Sequence, residues 1–380
     1  MALLASLSII GAACGDDKKA STKAITAIGD AEDTLNLIVW AGYAEDGSTY
    51  PEYDWVTPFE ANTGCAVNAQ TAATSDEMFT LMETGEYDGV SASGDASVRL
   101  IDAGLVAPVN TSLIKNYADL SPFLKDTVYN SKDGTNYGVP HGWGANYLMY
   151  NTDVVDPAPD SWGAVFDATS PYAGKVTAYD APIYIADAAL YLMSAQPELG
   201  ITDPYSLTQA QFDAAVDLLK VQNGIIGEYW NDYTKTQAAF EQGSTVIGTT
   251  WQVIYNLATL DGATLATVLP KEGATGWSDT WMLSSKAAHP NCMYMWMDYI
   301  TSPEVQAQVA YYFGEAPANP KACDLIVDDP THCDVFKAKD SAFAEAVHFW
   351  ATPRKKCLDG SGDNCVPFSE WIKAWTEIKG

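Results

Sequence analysis

Between Leu35 and Ser93 the chain alternates short apolar runs with stretches of helical spacing, and that alternation restricts the fold more than any other feature. LNLIVW (35–40) contains β-branched residues and reads as a buried strand. PEYDWVTPFEANTG (51–64) has helical spacing and ends at Gly64, and CAVNAQ (65–70) is a second strand. SDEMFTLMETGEYDG (75–89) predicts a helix capped by Ser75 and stopped at Gly85, followed by a third strand at VSAS (90–93). A βαβαβ order predicts an α/β fold with a mainly parallel sheet covered by helices on both faces.

The theme recurs in YGVPHGWGANYLMYN (137–151), KVTAYD (175–180), LTQAQFDAAVDLLKVQ (207–222), STVIGTTW (244–251) and TWMLSS (280–285), with helices predicted over 290–312 and 340–351. At 380 residues the chain exceeds what one hydrophobic core usually serves, and 47% hydrophobic residues suffice for two. The order of elements predicts a second α/β lobe inserted between the halves of the first. The first lobe then spans 35–142 and 273–380, and the second 143–272. Strand ends of the facing lobes would form a cleft, where open α/β sheets bind ligands.

Twenty basic against 49 acidic residues leave a net charge of -29, a field that repels nucleic acid and anionic headgroups and attracts cations. The same charge also favours solubility in a salty medium. The apolar leader MALLASLSIIGAA (1–13) stops at Cys14, is too short to span a bilayer, and ends like a signal peptide. Gly11, Ala12 and Ala13 before Cys14 resemble a lipobox, which would make Cys14 the lipidated first residue of an exported protein. Gly11 stands where leucine is usual, and no Lys or Arg precedes the apolar run. Residues 14–34 would form a tether, with 15–33 flexible and the fold starting at about Leu35. Six cysteines remain, and disulfides suit an exported chain. Cys323 with Cys333 and Cys357 with Cys365 are the simplest short staples, which leaves Cys65 for Cys292 and requires those two regions to share a lobe. No C-x-x-C occurs, so neither a zinc ribbon nor a thioredoxin-type site has support.

Five segments, in order, resemble the periplasmic spermidine/putrescine-binding proteins of polyamine ABC transporters. They are VWAGY (39–43), GEYDGVSASGD (85–95), YGVPHGWGANYLMYN (137–151), PKEGATGWSDTWMLSS (270–285) and TSPEVQAQVA (301–310). The resemblance implies a two-lobed type II periplasmic-binding fold and a receptor, not an enzyme, that takes a small cationic amine and delivers it to an ABC permease. It implies an aromatic box of Trp40, Tyr43, Trp251 and Trp277, with Asp279 as the main carboxylate and Asp180 as a second. Ser93 would add a polar contact, and Asp95 falls where the family carries an acid or a tyrosine. The physics agrees: a desolvated alkylammonium over an indole gains about 0.5–2 kcal/mol, and a buried ammonium needs a carboxylate.

The sequence departs from the family at the far end of the site. The family's second distal acid falls on Ile183, its late tyrosine on Glu315 and its late glutamine near Ala351. Glu315 would then supply a distal charge, and another diamine, an amino acid with a terminal amine or a quaternary ammonium compound is an alternative ligand. No cofactor is implied; the partners expected are the ligand, a permease and a membrane reached only through the lipid, and the protein is expected to be a monomer.

Competing chemistry is thin. GVSASG (89–94) misses the hydrolase elbow G-x-S-x-G because Ser93 stands at the second glycine. His141, His289, His332 and His348 show no ligand spacing. Tyr311 and Tyr312 are adjacent, as in ferric-ion-binding relatives, but lie in a predicted helix. Asp359, Ser361, Asp363 and Glu370 occupy calcium-loop positions, yet Asn364 stands where the sharp turn needs glycine, so a disulfide-closed loop is expected there.

Overall fold

The computed structural model describes residues 24–380. Two sheets, each with its own hydrophobic core, make two lobes. The seven-stranded sheet of the first lobe runs Ala316–Pro317, Gly138–Ala145, Ala274–Leu283, Gly89–Ala92, Thr34–Val39, Ala66–Thr71, with Val347–Phe349 paired to Ala274–Leu283 off that path. The five-stranded sheet of the second runs Leu265–Val268, Tyr147–Asn151, Ile247–Thr250, Val176–Tyr179, Ile226–Trp230.

Only part of each sheet is parallel. Thr34–Val39 is parallel to both its neighbours, and Val176–Tyr179 to both of its own. The strands that carry the chain between the lobes, Gly138–Ala145 with Tyr147–Asn151 and Leu265–Val268 with Ala274–Leu283, pair antiparallel with the strands beside them, except that Ala274–Leu283 is parallel to Val347–Phe349. Tyr147–Asn151 and Ala274–Leu283 therefore enter their sheets from the end facing the other lobe, opposite to strands built by βαβ crossovers. The two crossing segments touch at Asn146, whose N–H donates to the Thr275 carbonyl and whose Nδ2 donates to Thr275 Oγ1, both at 2.8 Å.

Local chemistry accounts for the helices around the first sheet. Helices Val56–Thr63 and Ser75–Thr84 end at Gly64 and Gly85, both in the left-handed conformation. Thr74, not Ser75, caps the second of these, accepting from the Glu77 N–H. Ser75 is the first helical residue, and its hydroxyl donates to Asp95 Oδ1 at 2.8 Å instead. Helix Gln209–Asn223 in the second lobe starts from a Thr208–Gln211 capping box. All three disulfides form as paired above, and Cys65–Cys292 closes a span of 227 residues within the first lobe.

Three stretches depart from the sequence reading. Residues 24–33 are docked, not free: Ile25 and Ile28 pack on the first core, and Glu32 accepts from the Asn291 and Cys292 N–H groups at 3.0 and 2.9 Å. Those amides open helix Pro290–Ile300 and lack intrahelical partners, so a carboxylate is favoured there. The leader 1–13, Cys14 and tether residues 15–23 lie outside the described residues. Residues 340–351 are not one helix. The helix Ser341–Glu345 is followed by strand Val347–Phe349, because Phe349 pairs with Gly276 at the sheet edge. Finally, the chain end assigned above to the first lobe packs in the second. Trp350, Phe368, Trp371, Trp375 and Ile378 belong to its core, and helix Phe368–Lys379 lies on Gln209–Asn223 with Trp371 and Phe212 rings 5.6 Å apart. An amphipathic helix with four large apolar residues on one face is stable only where a core covers that face.

Candidate ligand site

The carboxyl ends of five strands meet between the lobes. Trp40, Thr71 and Ser93 follow or end first-lobe strands; Asn231 and Trp251 follow second-lobe strands. They line one cavity of about 330 Å³, as do Ala41, Ala72, Ala73, Asp232, Tyr233, Thr234, Trp277, Asp279, Phe313 and Trp350. Among the described residues no lysine or arginine lines it.

Strand Ala274–Leu283 supplies the centre of the site. Trp277 and Asp279 are two residues apart and so share a face. Opposite them on Gly138–Ala145 stand Gly144 and Gly142, and both positions exclude a side chain. A Cβ on Gly144 would sit 2.8 Å from the Trp277 ring, and one on Gly142 2.2 Å from the Glu315 carboxyl. Phe313 meets Trp277 edge-on at 6.1 Å. On the second-lobe side Trp251 lies 5.0 Å from Trp230 and 5.5 Å from Tyr179, which stacks on Trp350 at 5.4 Å.

Asp279 is 3% exposed. Ser93 Oγ donates to its Oδ1, and the Tyr43 hydroxyl lies 2.6 Å from its Oδ2. The same hydroxyl lies 2.9 Å from Glu315 Oε2. Burial pushes Asp279 up to about 7 against the pull of those two hydroxyl donors. Burial, reinforced by the charge of Asp279, lifts Glu315 well above the usual carboxylate range. His141 approaches Glu315 at 3.7 Å but is fully buried, which lowers it to about 3 and keeps it neutral. This acid cluster therefore has no cation of its own among the described residues.

Trp40, Ser93, Trp251, Trp277 and Asp279 stand in the cavity wall. Tyr43 and Glu315 form a layer behind Asp279 and do not line the cavity, so Glu315 is no distal charge. Asp95 and Asp180 face a neighbouring hollow. Asp95 accepts from Ser75, and burial raises it to about 6. Asp180 is held by Lys379 Nζ at 2.6 and 2.7 Å and by the Trp375 indole N–H at 3.1 Å, so the C-terminal helix takes the acid the ligand was expected to take. Ile183 is buried in the second core and Ala351 beside Trp350 likewise. Trp350, Phe313 and the 231–234 turn were not foreseen. Only the turn had a visible signal, a strand followed by Asp232 as helix cap.

The competing sites do not assemble. Ser91, at the nucleophile position of the near-miss elbow, is fully buried and its hydroxyl accepts from the Trp40 N–H, with no histidine partner among the described residues. Tyr312 packs against Tyr53 at 4.5 Å, and Tyr311 against His332 at 6.2 Å. His289 pairs with Asp88 at 2.8 Å, His332 donates to the Glu315 carbonyl, and burial lowers His348. Asp359 spends its carboxylate on Ser361 N–H and Thr202, and Glu370 pairs with Lys373. Among the described residues no three His, Cys, Asp or Glu side chains converge as metal ligands, and no helix is long and apolar enough to cross a membrane.

An aromatic cavity with one buried acid, built from strand ends of two lobes joined by crossing strands, defines a two-lobed binding receptor of the type II periplasmic-binding class. A putative spermidine/putrescine ABC transporter structure from Listeria monocytogenes has this fold, with a TM-score of 0.74 at 21% identity over 91% of this chain and 99% of that one. Residues 54–339 match the bacterial extracellular solute-binding protein family, and the chain belongs to it. The spermidine/putrescine-binding periplasmic protein of Escherichia coli K12 is 25% identical over 308 residues, covering 77% of this chain and 84% of the relative. The putrescine/agmatine-binding protein of Pseudomonas aeruginosa is 25% identical over 301 residues, 73% and 79% of the two chains. The protein is the substrate-binding component of an ABC transporter, a receptor and not an enzyme, whose partners are a small ligand and a permease.

Proposed function

We propose that the ligand is a polyamine of the putrescine or spermidine kind, bound with one ammonium on Asp279 and its methylenes against Trp40, Trp251 and Trp277. The observation that carries this is the burial of Asp279 in an aromatic wall without a counter-charge among the described residues. The Ser93 and Tyr43 hydroxyls solvate a carboxylate in that position, but only a cation would neutralise its charge, and none is in reach among the described residues. The cavity draws residues from both lobes, so a ligand contacts both only when they are closed, and binding favours the closed form. The permease reads that form. Lipidation of Cys14 would hold a monomeric receptor at the outer face of the membrane.

A second reading is a ligand with a single cationic end, an amino-acid-like or quaternary ammonium compound. It is favoured by the engagement of Asp180 with Lys379 outside the cavity, which leaves Asp232 as the other acid in the wall, with one oxygen already capping Thr234. Isothermal titration with putrescine, spermidine, choline, an ω-amino acid and a neutral sugar separates the readings. Saturable binding of the two polyamines is expected. Preference for choline or the amino acid selects the second reading, and binding of the sugar alone defeats both.

A further inference from the structure

The hydrogen bonds behind Asp279 contain one oxygen contact too many for the hydroxyl protons present. Three contacts link four side chains: Ser93 to Asp279, Tyr43 to Asp279 and Tyr43 to Glu315. Each contact needs a proton, and the two hydroxyls supply two. The third proton must reside on a carboxyl. Asp279 already accepts from Ser93 and faces the cavity, whereas Glu315 is enclosed behind it and its Oε1 has no hydrogen-bond partner among the described residues.

Among the described residues no donor reaches the Glu315 carboxyl from elsewhere. Gln306 Oε1 accepts from the Asn319 N–H, so its amide nitrogen faces Ile300 O and His141 Nδ1. His141 Nδ1 is then the acceptor, and the ring proton sits on Nε2, 3.7 Å from Glu315 Oε1 and beyond hydrogen-bond reach. His332 donates to the Glu315 backbone carbonyl and not to its side chain. Asp279 and Asp95 are the other acids whose fields act in this cluster, and both are negative when ionised.

We propose that Glu315 is a neutral carboxylic acid that donates from Oε2 to the Tyr43 oxygen, directing the single Tyr43 proton onto Asp279. Resting on the amine reading above, its role is to position Tyr43 and leave Asp279 as the one ionisable charge facing the ligand. Burial of Glu315 at 1% exposure supports the neutral form, since an ionised group there would stand one hydroxyl away from a second anion. The directed chain also gives every contact a proton, as a buried network requires.

Two measurements test this. Carboxyl carbon NMR of the free full-length protein, with signals assigned by their loss in Glu315→Gln and Asp279→Asn, is expected to show Glu315 protonated at neutral pH. An ionised Glu315 there overturns the proposal. Putrescine titration across pH supplies a second readout. Glu315→Leu, which cannot donate, should weaken binding about tenfold and shift its pH profile, whereas Glu315→Gln, which donates without charge, should restore both. If Gln loses as much as Leu, the charge and not the donor is required, and the proposal fails. A parent protein that ignores putrescine while Glu315 remains protonated sinks the amine reading and leaves the proton assignment standing.

Discussion

Asp279 and Asp180 occupy the two positions where the resemblance implies ligand carboxylates, and the fold treats them in opposite ways. Asp279 is buried with two hydroxyl donors and no cation among the described residues. Asp180 is partly exposed, and both its oxygens are taken by Lys379, with Trp375 adding an indole N–H. An ion pair at this exposure is a modest stabiliser, and it neutralises the acid. An acid with a resident cation is part of the scaffold; an acid without one calls for a cation from outside. Possession of a counter-charge, not position along the chain, separates the two roles.

The largest test of that contrast is Asp279→Asn. The amide fits the same hydroxyls but leaves the ligand ammonium unpaired, which costs roughly 2–5 kcal/mol, or at least about thirtyfold in affinity. Calorimetry with putrescine checks it, with circular dichroism to confirm folding. Unchanged affinity would show that Asp279 resembles Asp180 after all.

A pH titration sharpens the comparison next. Burial sets Asp279 at about 7, above the ordinary value of 3.8, so it is neutral below that range and cannot pair with an ammonium. Amine affinity should fall about tenfold per unit as pH drops below about 7 and level off above it. The sign for stability is the reverse. Between about pH 4 and 7 the folded free protein holds a proton on Asp279 that the unfolded chain has released, so this group's contribution declines as pH rises. Asp95 and Asp187, raised by burial to about 6 and about 7, act in the same direction. The difference between parent and Asp279→Asn in urea melts at several pH values therefore isolates the single group.

How much of this could be read beforehand follows from the range of the contacts involved. Trp277 and Asp279 were named through the family resemblance of segment 270–285, to which the sequence itself adds that an acid between Trp277 and Trp281 in so apolar a stretch needs a partner. Trp40, Ser93 and Trp251 were named through the resemblance alone; that each follows or ends a strand facing the cleft is what the fold adds. The fate of Asp180 was not visible. It depends on Lys379, 199 positions away, and on a C-terminal helix whose apolar face fits either core until the chain is folded. Trp350 was hidden for a local reason: SAFAEAVHFW has helical composition, and only its pairing beside Gly276 makes Val347–Phe349 a strand. Glu315 was visible as a substitution in the family pattern, but its neutral surroundings come from three separate elements and leave no local trace.

Trp277→Leu tests the aromatic half of the site with a smaller expected effect. Leucine keeps an apolar wall over Gly144 but removes the ring face, a loss of about 0.5–2 kcal/mol for a cation and little for a neutral ligand. Putrescine affinity should drop between about twofold and thirtyfold. An equal loss for a neutral and a charged ligand would mean that the ring serves shape alone.

The smallest effects are expected at the other acid. Lys379 and Asp180 side chains are 37% and 19% exposed, and such a pair contributes about 0–1 kcal/mol after solvent screening. Asp180→Asn and Lys379→Met should each lower stability by no more than that in urea melts, and putrescine affinity should stay within about twofold, because neither side chain lines the cavity. Spermidine makes the stricter probe, since its extra amine extends furthest from Asp279. If Lys379→Met tightens spermidine binding while Asp180→Asn weakens it about tenfold, Lys379 is a resident stand-in for a ligand amine, and the two acids differ only in whether the protein brings its own cation.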